Sequence, residues 1–420
     1  MSRPPSIRRV ANGFTLLELM ISLVVVLFFT IGAMALLKQQ QRSFQNTASD
    51  RALQETARAA LSHMGENLRR AGYGIEPVLA FDFGPLNIPT ATPIVTQSSG
   101  VSCRDGIGPN GSDELVFYSR DPSFGRPLTA APVGGALTIS GGLRTPIYLG
   151  QILQVMCAGA ADWAYVTVGT TAAANWTGPP AAEPASTAIT LGAGNADDFP
   201  VQNARLARTC FNANPASVRA FKIDRFRYYI GWAPDPETPN GRPYLMLDRG
   251  LTGPNGAIPE PVAPDVEDLQ VAYVFPNATG GPATVGDQLG VPITDSPASI
   301  QLNAIPPLYN DPPDLPTRNN RSPANIRAVK VSVVTRTPGS DPQLADIANI
   351  SAANQSPVDY VGGGNLVPGA GNRGDQAGDS HHHRLRVEAS EGTRNLDSRV
   401  PYAPPYTTNG GLDGLNVGGG

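Results

Sequence analysis

The chain has 420 residues, 41% of them apolar, and a formal net charge of −4. That length and apolar fraction supply a real core, which excludes a disordered chain. The acidic balance excludes a nucleic-acid binder, whose phosphate contacts need concentrated Lys and Arg; only three lysines, Lys38, Lys222 and Lys330, are present at all.

Residues 1–13 carry Arg3, Arg8 and Arg9 and no acid, and removing them would take the net charge to about −7. Next come Gly13, Phe14 and, four residues on, a single carboxylate, Glu18. From residue 19 to residue 37 there is no charge, and only Ser22, Thr30 and Gly32 interrupt the apolar run. As a helix that run covers roughly 28 Å, the thickness of a bilayer's hydrocarbon. A carboxylate at the edge of such a span is costly unless it meets a positive partner, so Glu18 reads as functional. If a peptidase cuts after Gly13, Phe14 gains a free ammonium, and in a bundle of such helices one subunit's ammonium meets a neighbour's Glu18 and fixes axial register. Two other readings stay open. Residues 1–35 could be an ordinary secretory signal cleaved after Ala33-Met34-Ala35, or the span could be an uncleaved anchor with its positive end in the cytoplasm. Neither accounts for Glu18, and the mature N-terminus separates the three: Phe14, Leu36, or Met1 or Ser2.

Glycine, aromatic, Thr-Leu-Leu-Glu and a long apolar helix, in that order, resemble the class III signal of type IV prepilins and pseudopilins. The resemblance implies a leader, residues 1–13, removed after Gly13 by prepilin peptidase, N-methylation of Phe14, and Glu18 as the group that guides the subunit into a filament. Residues 14–37 would then be the membrane and assembly half of the helix.

No proline occurs between Pro5 and Pro77, and between Phe14 and Ala71 the only glycines are Gly32 and Gly65. That predicts one continuous helix, roughly 87 Å long. Its second half, residues 38–73, turns amphipathic: Leu53, Ala57, Ala60, Leu61, Met64, Leu68 and Ala71 recur at threes and fours and form one stripe for packing on a folded domain. Glu55 with Arg58, and Glu66 with Arg70, fall at pair spacings on the polar side. His63 borders the packed face. Gly72-Tyr73-Gly74 ends the helix.

Beyond Gly74 the period shifts toward two. Strands are predicted at 114–120, 147–156, 163–168, 221–232, 244–247, 269–275, 326–337 and 384–389. In the clearest, Val329, Val331 and Val333 share one face and Lys330, Ser332 and Arg336 the other. Gly-, Pro-, Asn- and Asp-rich segments between them read as long surface loops. The fold class is therefore α+β: a long N-terminal helix packed on a large, mostly antiparallel β-rich head, residues 74–400, with a flexible Gly- and Asn-rich tail at 401–420. Tyr228, Tyr229, Trp232 and Tyr244 read as strand core before they read as a binding patch.

The three cysteines, Cys103, Cys157 and Cys210, allow one disulfide and one odd thiol, with three pairings open. No C-x-x-C, H-E-x-x-H, G-x-S-x-G or P-loop occurs, so no enzyme, metal or cofactor is expected. The run His381-His382-His383, with Asp375 and Asp379, reads as a solvated loop, and Asp197, Asp198, Asp235 and Glu237 as turn formers.

Several downstream segments, DELVFYSRDP (113–122), FRYYI (226–230) followed by GRPYLMLDRGL (241–251), DVEDLQVAYVF (265–275) and IRAVKVSVVTRT (326–337), resemble PilW-type minor pilins. HRLRVEASEGTRNL (383–396) is similar to the late basic strand of that group, which ends near Arg-Asn. This resemblance implies a non-enzymatic subunit with its head in the periplasm, held in the bacterial inner membrane before assembly and on the cell-surface pilus afterwards. Its partners would be other minor and major pilins and a PilY1-like tip adhesin, in a role at the filament tip or in priming assembly for motility and adhesion. Many major pilins have a proline about twenty residues into the mature helix; here that place holds Ala35. A J-type minor pseudopilin of a type II secretion system, or a membrane-tethered surface-binding protein that never polymerises, remains as an alternative.

Overall fold

The proline-free run forms a single helix, α1, Leu16–Leu68. At 1.5 Å per residue its 53 residues span about 80 Å. The structure, a computed structural model, describes residues 16–75, 79–81, 112–132, 135–157, 163–192, 203–233, 242–275, 284–286, 326–338 and 384–397. The chain divides into two compact units, Met1–Ala52 and Leu53–Gly420.

In the first unit, α1 is exposed from Leu16 through Gln41. The second unit begins at Leu53, where the stripe begins, and all seven stripe residues from Leu53 to Ala71 are buried. Glu66 and Arg70 pair across one turn at 3.9 Å, well exposed. The last helical residue is Leu68; a turn follows, and the backbone leaves it with Gly72 at φ +74° and Gly74 at φ +68°, a region that residues with a Cβ avoid.

Fourteen strands follow among the described residues. They are β1 Leu115–Pro127, β2 Ala136–Ser140, β3 Ile152–Met156, β4 Trp163–Thr167, β5 Ser186–Thr190, β6 Arg219–Ala233, β7 Arg242–Asp248, β8 Thr252–Gly253, β9 Gly256–Ala257, β10 Glu260–Pro264, β11 Val266–Phe275, β12 Thr284–Gly286, β13 Ala328–Arg336 and β14 Arg384–Gly392. Two short α-helices, α2 Thr209–Ala213 and α3 Arg394–Asp397, and two 3-10 turns, Asn203–Ala207 and Pro215–Ser217, lie among them.

Among the described residues every sheet pairing is antiparallel. The long strand β6 organises the larger, six-stranded sheet: β1 runs along one edge, and β3 and β7 share the other, pairing with residues 219–223 and 227–233 respectively. The second sheet has the order β12-β11-β13-β14. Asp113 stitches the two together, its N–H donating to Leu269 O and its carboxylate accepting from Val271 N–H, both at 2.7 Å.

The helix stripe packs into one core with residues from both sheets, among them Phe117, Tyr228 and Ile230 from the first and Val271, Val331 and Val333 from the second. A second core, holding Leu137, Ile139, Val155, Val166 and Phe211, lies under the β2–β5 pair. Its boundary is closed by a disulfide between Cys157 and Cys210, 53 residues apart in sequence. The architecture is α+β, an apolar N-terminal helix followed by an antiparallel β-rich head.

Each of the eight predicted strands is present, most of them longer than predicted, though at 147–156 only Ile152–Met156 is strand and Ile147 makes a lone bridge to Ala172. The loops between them hold more order than composition suggests, with β2, β5, β8, β9, β10 and β12 lying in segments read as loops. The aromatic set divides: Tyr228 is fully buried, Tyr229 and Tyr244 are half-buried, and Trp232 is 48% exposed. Trp232 is thus not core; it stands near the end of β6, with the Arg336 guanidinium 5.4 Å from its ring centre. The polar face expected on β13 is not a solvent face throughout, since Ser332 and Arg336 are both buried.

Candidate functional site

The N-terminal part of α1 gathers what the sequence marks as functional. Glu18 sits in the first turn of the helix, where the partial positive charge of unpaired N–H groups favours a carboxylate. Below it the apolar run is continuous, and Leu16–Gln41 is long and apolar enough to cross a membrane. Its two hydroxyls are turned back onto the helix. Ser22 Oγ donates to Leu19 O at 2.9 Å, and Thr30 Oγ1 lies 2.9 Å from both Val26 O and Leu27 O. With their donors used internally, these residues present mainly carbon to their surroundings, as a lipid-facing helix requires. A Cβ added at Gly32 would meet nothing within 4 Å, so this glycine leaves a shallow notch in an otherwise bulky surface.

Glu18 is therefore the one acid in a stretch that offers hydrocarbon on all sides. A carboxylate in such a setting is costly unless it meets a positive charge. Gly13 and Phe14, the other two residues singled out there, lie outside the described residues, as do Cys103, the run His381-His382-His383 with Asp375 and Asp379, the acidic residues Asp197, Asp198, Asp235 and Glu237, and the tail from residue 401. Among the described residues no group of three or more His, Cys, Asp or Glu stands close enough to hold a metal ion. His63 is on the border of the packed face, its Nδ1 3.1 Å from the Tyr228 hydroxyl.

The head contains a charged cluster that sequence reasoning did not assemble. Asp265, at φ +55° between β10 and β11, lies 3.3 Å from Arg242 and 4.0 Å from Arg336. Glu267 receives Arg336 at 3.3 Å and Arg384 at 2.7 Å. These pairs tie β7, β11, β13 and β14 at one corner, with both carboxylates nearly buried. Next along β11, Asp268 is fully enclosed; burial pushes its carboxyl up to about 6, although Gln270 Nε2 donates to it at 2.9 Å. The acid-rich run at 265–268, Asp-Val-Glu-Asp, was the available signal. Its three carboxylates serve the fold, since each is met by side chains of the same domain.

A second charged group spans the other sheet, where Arg227 bonds the nearly buried Glu114 through Nε at 2.9 Å and Asp248 through Nη1 at 3.4 Å. Both clusters use up their charges internally, so the N-terminal segment remains the candidate site.

A prokaryotic N-terminal methylation motif matches residues 8–34, spanning Gly13, Phe14, Glu18 and most of the apolar run. No curated protein matches the sequence. Among solved structures, a type IV-like pilin from Thermus thermophilus aligns at 12% identity over 59% of this chain and 86% of that one, with a TM-score of 0.17. The chain thus joins a prokaryotic N-terminal methylation motif to an apolar N-terminal helix and an antiparallel β-rich head.

Proposed function

We propose that this protein is a minor pilin of a type IV pilus, a non-enzymatic subunit held in the inner membrane with its head in the periplasm until it is packed into the filament. The observation that carries the reading is the coincidence of the methylation motif at residues 8–34 with a helix of 53 residues whose first turn contains Glu18. On this reading prepilin peptidase cuts after Gly13, Phe14 becomes the methylated N-terminus, and its ammonium meets Glu18 of a neighbouring subunit. In hydrocarbon neither charge is stable alone, so the pair sets the depth at which the incoming helix stops.

A head of more than 300 residues favours a place at or near the tip, with other minor pilins and a PilY1-like adhesin, because a tip surrounds each head with fewer neighbours than a shaft does. That is a steric argument from size, and the priming of assembly follows from the same placement.

The test is the mature N-terminus followed by incorporation. Mass spectrometry of the protein from cells is expected to find methylated Phe14 at the start; a protein beginning at Met1, Ser2 or Leu36 ends the proposal. Glu18→Ala is expected to insert in the membrane normally but to fall at least tenfold in sheared pili. Wild-type protein found in a secretion pseudopilus, or never in any filament, would point to the pseudopilin or the non-polymerising reading instead.

A further inference from the structure

The end of α1 is held by a segment from the far end of the sequence. Asn395 Nδ2 donates to Ala71 O at 3.2 Å and to Arg69 O at 3.3 Å, two carbonyls of the turn that follows Leu68. Leu396, fully buried, lies over Gly72: a Cβ at Gly72 would come within 2.9 Å of Leu396 Cδ2. The segment is itself tied down. Thr393 N–H donates to Arg327 O at 2.9 Å, Thr393 Oγ1 donates to Ile326 O at 2.7 Å, and Arg327 bonds Leu396 O. Just before it, on β14, Glu391 pairs with Arg69 at 3.3 Å.

We propose that residues 393–396 are a latch and that Asn395 is its positioning residue: its amide caps the end of the stem helix from a distant part of the sequence and fixes the last turn to the four-stranded sheet. The local sequence does not do this alone. After Leu68 it runs into two left-handed glycines; the Arg70, Ala71 and Tyr73 amides bond carbonyls three residues back, and the turn is tied to β1 by Gly72 N–H on Tyr118 O and by Arg120 N–H on Tyr73 O, which leaves the Arg69 and Ala71 carbonyls to Asn395. Resting on the filament-subunit reading, tension along α1 would be shared between this latch, which leads into β13 and β14, and the bonds of the turn to β1.

The test uses the full-length protein in detergent micelles and does not depend on polymerisation, so its failure is separate from failure of the filament reading. Asn395→Asp keeps the shape but puts a carboxylate against two carbonyl oxygens. Amide hydrogen exchange is expected to rise about tenfold at residues 70–73, and tryptic cleavage after Arg69 and Arg70 to rise with it, while amides of β6 and β11 stay as in wild type. Unchanged exchange at 70–73 overturns the latch, and so does an equal rise across the whole head, which would make Asn395 a general fold residue. If Asn395→Asp does not accumulate, Asn395→Ser, too short to reach both carbonyls, carries the same expectations.

Discussion

Asn67, on the last turns of α1, donates its side-chain amide to the hydroxyl of Tyr228 at 2.7 Å, across 161 residues of sequence. This bond, with His63 Nδ1 at 3.1 Å on the same hydroxyl, is the polar anchor in an otherwise apolar contact between the helix and β6. Burial pushes the Tyr228 hydroxyl well above its ordinary value. Tyr228→Phe leaves two half-buried polar groups without this partner and is expected to cost roughly 1–3 kcal/mol in denaturant unfolding. The unfolded protein releases the phenolic proton near pH 10 while the folded one keeps it. Stability therefore falls as pH rises past that point, and the slope should be shallower in Tyr228→Phe.

Asp268 gives a second pH dependence, in the acid range. Its carboxyl is raised to about 6 in the folded protein by burial, against about 3.9 when unfolded. The folded state thus binds more proton between those values, and its contribution declines as pH rises from about 4 to 6. An asparagine in place of the acid keeps an acceptor for Gln270 and removes the charge. Asp268→Asn is expected to stabilise at pH 7 by up to roughly 3 kcal/mol and to change little at pH 4, as read from urea midpoints at the two pH values.

The bond between Cys157 and Cys210 closes a loop with a sequence separation of 53, for which loop-closure entropy gives about 4 kcal/mol. A Cys157→Ala, Cys210→Ala double variant is expected to lose up to that amount. Because the two cysteines border the second core, early exposure should centre on β2 and β5, which hydrogen exchange would detect as faster amides at 136–140 and 186–190.

Gly150 has φ +88°, and a Cβ there would come within 2.3 Å of the backbone oxygen of Gly250. Neither side can yield by rotating a side chain. Gly150→Ala is expected to destabilise by at least about 2 kcal/mol, whereas Gly32→Ala, in open space, should leave the unfolding of the head unchanged.

The stem helix was legible because its signals are local: absence of proline, a stripe at threes and fours, and glycines at the end. The eight strands read from the sequence are rich in β-branched and aromatic residues, as in Val329, Val331 and Val333. Those missed give weaker cues. Ala136–Ser140 and Ser186–Thr190 are five residues long, without an aromatic, and become strands only by pairing with each other across 46 residues and burying Leu137, Ile139 and Ile189. Glu260–Pro264 contains two prolines, acceptable because it lies at a sheet edge. The cysteine pairing and the Asp265–Arg336–Glu267–Arg384 cluster depend on which strands become neighbours, and no spacing along the sequence encodes that. Glu18 stood out for the opposite reason, since its meaning comes from the apolar residues beside it.

Asn395 meets the carbonyl of Ala71 across a sequence separation of 324, and this sets an order of events during synthesis. The stem leaves the ribosome well over three hundred residues before its fastening, so in that interval the greasy stripe from Leu53 to Ala71 has no completed surface to cover it. Ribosomes stalled before residue 393 should therefore yield products more prone to aggregate than those that include residues 393–396.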